Sequence, residues 1–207
     1  MTHPQLPERL FRRQDESDDA GFYVQPRFET HIDDATIAAL TQYYREALAP
    51  GDRVLDLMSS WISHLPDEID FRQVTGLGMN AEELAANPRL DTYVVQDLNV
   101  TPTLPFATAA FDAVLIAVSV QYLTRPLSVF AEIARVLAPG GRCIVAMSHR
   151  LFPTKAIYAF HVLSPQERRE LVASYLRDGG RFEQIESIDR SPPRADPLWI
   201  VTGIREG

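Results

Sequence analysis

The chain has one cysteine among its 207 residues, Cys143, which rules out an internal disulfide and any cysteine-based metal site. Positive charge is scarce: 20 lysines and arginines face 28 aspartates and glutamates, for a formal net charge of -8. A surface of that sign repels phosphate backbones and anionic lipid, so neither nucleic acid nor a membrane surface is expected as a partner. The pairs Arg12-Arg13 and Arg168-Arg169 are too small to make a basic patch. No apolar run is long enough to span a bilayer; the best, Ala113 to Val120, has the length of a strand. Residues 1–20 lack the apolar core of a secretory signal, and a cytoplasmic location is expected. Internal repeats, a phosphate-cradling lysine motif and a nucleophile elbow are all missing.

What is present is ordinary for a globular domain, with 45% hydrophobic and 23% charged residues. Residues 1–20, with the run Gln14-Asp15-Glu16-Ser17-Asp18-Asp19, read as a mobile acidic leader, and residues 21–207 as a single domain. Asp33 is placed to cap a helix that runs to Leu48, with Ile37, Leu40, Tyr44 and Leu48 at helical spacing. Strands are predicted at Arg53 to Met58, Gln73 to Gly78, Tyr93 to Val95, Phe111 to Ala117 and Arg142 to Met147. Asn80 with Glu83 has the form of a capping box, and Ser164-Pro165-Gln166-Glu167 is a stronger one. Leu127, Phe130, Ile133, Ala134 and Leu137 mark one face of a further helix. Two late strands, near Phe182 to Ile188 and Leu198 to Ile204 and expected as an antiparallel pair, close the pattern. Strands alternating with helices predict an α/β domain: a mostly parallel sheet of about seven strands with helices on both faces.

Four stretches occur in order: Val54-Leu-Asp-Leu57; Gln96-Asp-Leu98 with Leu104-Pro-Phe106; Phe111-Asp-Ala-Val114; and Phe130 to Gly141. Together they resemble the class I S-adenosylmethionine-dependent methyltransferases, in particular the ubiquinone- and menaquinone-biosynthesis type, over roughly Pro50 to Met147. The resemblance implies a Rossmann-like methyltransferase fold and S-adenosyl-L-methionine as cofactor. It also exposes departures. Met58, Ser60 and Ile62 stand where the family has glycines under the cofactor, and Gly78 stands where it has the acid for the ribose hydroxyls. By the same resemblance Asp56 lies near the cofactor's amino group, and Asp97 and Leu98 lie at the adenine. Asp97 also suits a turn before Pro102. Met58, Ser59, Ser60, Asn80 and Ser119 complete the expected cofactor set.

Ligands of such sheets bind at the carboxyl ends of the parallel strands, which makes the segments after them the place to look for working residues. His149 is the expected general base by position and by its intrinsic pKa. Gln121 and Tyr122 either orient a substrate or pack under the next helix. Trp61 either stacks on a planar ligand or belongs to the core, and His64 shares its loop. Arg27 and His31, in the polar and aromatic run from Phe22 to Asp34, are expected to reach the substrate. No metal site is expected, because Asp33 and Asp34 suit a helix start. Two functions follow: a methyltransferase acting on a small molecule, or a non-catalytic binding or regulatory module of the same shape. A nicotinamide oxidoreductase is disfavoured, since no Gly-x-Gly-x-x-Gly follows the first strand.

Overall fold

The computed structural model describes residues 7–207. Helix α1 spans Asp19–Tyr23, and α2 spans Asp34–Ala47 with the Asp33 carboxylate accepting from the Thr36 N–H at 2.9 Å. The seven strands are β1 (Arg53–Leu57), β2 (Gln73–Gly78), β3 (Thr92–Val95), β4 (Phe111–Ala117), β5 (Leu137–Met147), β6 (Phe182–Asp189) and β7 (Trp199–Arg205). Helices α3 (Ala81–Ala86), α4 (Pro126–Val136), α5 (Ala159–Val162) and α6 (Pro165–Gly179) lie between them.

One sheet holds all seven strands in the order β3-β2-β1-β4-β5-β7-β6. The pairings among β1 to β5 are parallel, whereas β7 runs antiparallel to both β5 and β6, so the sheet is mixed. Successive strand residues point to opposite faces, and the core divides accordingly. Leu55, Val114, Ile116, Cys143 and Val145 meet Phe130 and Ile133 of α4 and Val172 and Leu176 of α6. Val54, Leu115, Ile144 and Ile200 turn the other way and meet Leu40, Tyr43 and Tyr44 of α2. Leu127, expected on the buried face of α4, is 42% exposed.

The stretch between β1 and β2 forms no helix. At the far edge, Tyr93 and Val95 of β3 are exposed. The first six residues of the expected leader lie outside the described stretch. The remainder is docked on the domain. Arg13 donates to both oxygens of the buried Asp19, the Asp15 N–H donates to the Thr154 carbonyl, and the Tyr158 N–H donates to the Arg12 carbonyl. Order therefore begins well before Phe22. Among the described residues no helix is long and apolar enough to cross a membrane.

Candidate active site

Strand order reverses on either side of β1, and a cavity opens at the carboxyl ends of the strands around that point. Met58, Ser59 and Ser60 after β1, Gly78 and Asn80 at and beyond the end of β2, Asp97, Leu98 and Asn99 after β3, and Ala117 to Ser119 at and beyond the end of β4 line it. Tyr23, Arg27, His31, Tyr122 and Phe152 close the other side. Two further openings adjoin it. One is lined by Asp56, Trp61 and His64, the other by Arg150 and Leu151, and His31 and Val118 border all three.

The turn after β1 shows how the chain manages without glycines. Met58 takes the left-handed conformation at φ 59° and His64 does so at φ 55°, while Ile62 is spared. Val118, which follows β4, is a β-branched residue at φ 51°. Such conformations cost about 1–3 kcal/mol each and persist where their surroundings over-determine them, often at functional sites. The Ser59 N–H donates to the Leu77 carbonyl at 2.8 Å, which lays the loop across the end of β2. A Cβ at Gly78 would collide with the Ser59 carbonyl oxygen. The loop thus passes over the position where a side chain at residue 78 would project. Gly78→Asp is accordingly expected to lower stability by about 1–3 kcal/mol without improving ligand affinity, as thermal melts paired with ligand titration would show.

A carboxylate reaches the cavity from one turn further on. Asn80 caps α3, its side-chain oxygen accepting from the N–H groups of Glu82 and Glu83 at 2.9 and 3.0 Å. The Asn80 amide donates to the Tyr23 and Val24 carbonyls. Glu83 accepts at 2.7 Å from both the Arg27 N–H and the Ser60 hydroxyl, fastening the N-terminal segment to the loop. The sequence offers Glu83 both as a helix-start residue and as a carboxylate able to swing toward the site, and its side chain lies on the cavity wall.

Asp56 is buried and accepts from the hydroxyls of Ser59 and Ser63 at 2.5 and 2.6 Å. Burial raises its pKa to about 6, against the pull of those two hydroxyls. Burial lowers His64 to about 4, with His31 adding to the effect. Asp97 accepts from the Asn99 N–H at 2.7 Å, so it forms the turn and lines the cavity at once. Leu98 is buried beside it. Burial also raises Tyr122, whose oxygen accepts the Phe152 N–H at 2.8 Å.

Other expectations give way. His149 does not border these cavities: its Nε2 lies 3.3 Å from Asp196, and its side chain is 51% exposed. Gln121 is buried, its amide donating to the Val118 carbonyl at 2.8 Å, so it packs under the site and does not line it. Trp61 donates from its ring nitrogen to the Glu29 carbonyl at 3.1 Å and meets Phe28 edge-on, against the N-terminal segment. Among the described residues no cluster of three or more metal-ligating side chains occurs.

Residues 59–145 match the methyltransferase domain family, a match that begins inside the loop after β1. A demethylmenaquinone methyltransferase of Beutenbergia cavernae is 33% identical over 120 residues, 55% of this chain and 48% of that protein. The match therefore spans about half the length of this relative. Among solved structures, a Haemonchus contortus phosphoethanolamine N-methyltransferase in complex with S-adenosyl-L-methionine is similar at a TM-score of 0.60 and 16% identity, over 83% of this chain and 52% of that one. The cyclase SpnF is similar at a TM-score of 0.58 and 19% identity, over 81% and 80%, so fold alone does not fix the reaction. By sequence over residues 59–145, and by fold over most of its length, the chain is similar to the class I S-adenosylmethionine-dependent methyltransferases.

Proposed function

We propose that the chain binds S-adenosylmethionine in the main cavity and transfers its methyl group to a small-molecule acceptor. The observation that carries this is the set of carboxylates at the walls of this cavity and of the opening beside it: Glu83 at the start of α3 and Asp97 after β3 on the cavity, and Asp56 near the end of β1 on the opening. The cofactor presents an ammonium, two ribose hydroxyls and an adenine amine, all hydrogen-bond donors. Asp56 suits the ammonium, Glu83 stands in for the absent ribose acid, and Asp97 with Leu98 suits the adenine. Three buried polar atoms on these walls, Arg27 Nη1, His64 Nδ1 and Ser119 Oγ, lack hydrogen-bond partners. A polar ligand would satisfy them. When bound, the cofactor supplies an electrophilic methyl group on a sulfonium. The chain's part is to hold both reactants, shield them from water and accept a proton where the acceptor carries one. The named substrate of the curated relative, demethylmenaquinone, is consistent with a small-molecule acceptor.

Calorimetric titration with S-adenosylmethionine and S-adenosylhomocysteine tests the proposal. Competitive micromolar-range binding is expected, and binding of neither would sink it. Asp97→Ala should weaken both ligands by about tenfold or more, the loss of one hydrogen bond to a charged group. Its melting temperature should stay close to that of the parent. Unchanged affinity would remove Asp97 from the adenine.

A further inference from the structure

We infer that Asn87 is a positioning residue for Asp56: its amide turns the Ser63 hydroxyl onto Asp56 Oδ2 and so leaves Oδ1 open to the ligand's ammonium. The ammonium rests on the methyltransferase reading; the action of Asn87 on Asp56 rests on the loop alone.

The placement begins in the sequence. Pro88 biases the residue before it toward extended backbone, and Asn87 ends α3 at φ -75° and ψ 111°. Glu83 and Asn87 are one helical turn apart, so both reach the loop after β1. Glu83 accepts from the Ser60 hydroxyl, and the Asn87 amide nitrogen donates to the Ser60 carbonyl at 2.9 Å. The same nitrogen donates to the Ser63 hydroxyl oxygen at 2.8 Å. Asn87 is 4% exposed, so these bonds are made away from water. Its amide has one possible orientation. The Ser60 carbonyl can only accept, and the Arg89 N–H, which the Asn87 oxygen receives at 3.0 Å, can only donate.

A hydroxyl has one proton. Ser63 already accepts from Asn87, so its proton is left for Asp56 Oδ2, 2.6 Å away. Ser59 also donates to Oδ2, but no side chain donates to it, and the Ser60 carbonyl at 3.4 Å offers its proton a second acceptor. Tyr44, on α2, is near enough to feel the Asp56 charge, yet its oxygen has no hydrogen-bond partner and holds nothing in place. Among the described residues, Asn87 is therefore the one side chain that fixes a donor on Asp56. Within the same residues no hydrogen bond ends on Oδ1. His64, His31 and Glu29 share with Asp56 the opening it borders. His64 titrates near 4, well apart from Asp56 at about 6.

The test follows the Asp56 carboxyl carbon by NMR through its titration, in the full chain without ligand. Asn87→Ala frees the Ser63 proton to turn away, and should raise the midpoint by about half a pH unit or more. Ser63→Ala should raise it at least as far, and the double variant should match Ser63→Ala, because Asn87 acts through that hydroxyl. Asn87→Asp should raise it further, since its carboxylate draws the Ser63 proton to itself and adds a like charge. In the parent, the Asn87 side-chain amide should titrate with the Asp56 midpoint while the Asn80 amide does not, a readout that needs no variant to fold. Asn87→Ala should also weaken S-adenosylhomocysteine by about threefold or more. An unmoved midpoint in Asn87→Ala, additive shifts in the double variant or a silent Asn87 amide would overturn the inference, whatever happens to the melting temperature. If S-adenosylhomocysteine binds neither parent nor variant while the midpoints move as expected, the cofactor reading falls and the action of Asn87 on Asp56 stands.

Discussion

Replacing Asp19 with alanine is expected to cost about 3–5 kcal/mol of stability, which for a domain of this size is a fall of roughly 10 °C in Tm. Asp19 accepts from Arg13 at 2.8 and 2.7 Å and from the Asn99 amide at 3.0 Å, and Lys155 Nζ lies 3.1 Å away. Lys155 is the sole lysine of the chain and is completely buried. Its other partners are Asp15 at 3.0 Å and the Ser17 carbonyl at 2.8 Å. A buried ion pair contributes little net stability, but deleting one partner strands the other charge in a medium that cannot solvate it. Lys155→Met combined with Asp19→Asn should therefore cost less than the sum of the two single changes. The pH dependence has a definite sign. Burial alone would raise the Asp19 carboxyl, but Arg13, Asn99 and Lys155 together hold it below its usual value. Its contribution is complete above an unfolded pKa near 3.8 and drains away as pH falls through the lower folded value. An amine-acylating reagent gives a second readout: Lys155 should be protected in the parent and reactive in Asp19→Ala. A Tm within 2 °C of the parent, as an order-of-magnitude bound, would show that the N-terminal segment is not held by this cluster.

That cluster also shows what the sequence made legible and what it concealed. Strands such as Phe111–Ala117 announce themselves because burial on both faces demands an unbroken apolar run. The Asp33 and Ser164 caps are legible because a cap and its partner lie within one turn. Residues 7–20 read as a detached leader because their charges were judged without partners, and Ser17 lies 138 residues from the lysine it binds. The antiparallel pairing of the two late strands was legible, whereas the insertion of β7 beside β5 was not, since strand neighbours depend on where the chain returns.

The site was legible in outline. Asp56, Met58, Ser59, Ser60, Asp97, Leu98 and Ser119 all line the cavities. Which side chains point inward was not legible. His149 follows β5 as expected, yet Asp196 in the loop before β7 turns it aside. Glu83 carries a helix-cap signature and spends its carboxylate on Arg27 and Ser60.

Asp56→Asn should raise stability at pH 7.5 while weakening the cofactor, and the two effects share one cause. Burial lifts the Asp56 pKa to about 6 because the charged carboxylate lacks solvation, and the hydroxyls of Ser59 and Ser63 restore only part of it. The folded state then holds a proton that the unfolded chain releases near pH 3.8. Between that value and about 6, stability falls as pH rises, by up to about 3 kcal/mol for a shift of this size. The direction is opposite to that expected for Asp19, whose contribution changes only below an unfolded pKa near 3.8, so melts in the two single variants on either side of that pH separate the contributions. The asparagine carries no charge to bury and should recover much of that loss at pH 7.5. A carboxylate kept at such cost is poised for a cation. An ammonium arriving beside Asp56 would pull its pKa down, so parent affinity for S-adenosylhomocysteine should strengthen as pH rises through 6. That pH dependence should vanish in Asp56→Asn, together with about tenfold or more of the affinity at pH 7.5. A variant that is stabilised yet binds as well as the parent would show that the ammonium lies elsewhere. A variant that is destabilised at pH 7.5 would show that the two serine hydroxyls solvate the carboxylate well enough to offset its burial.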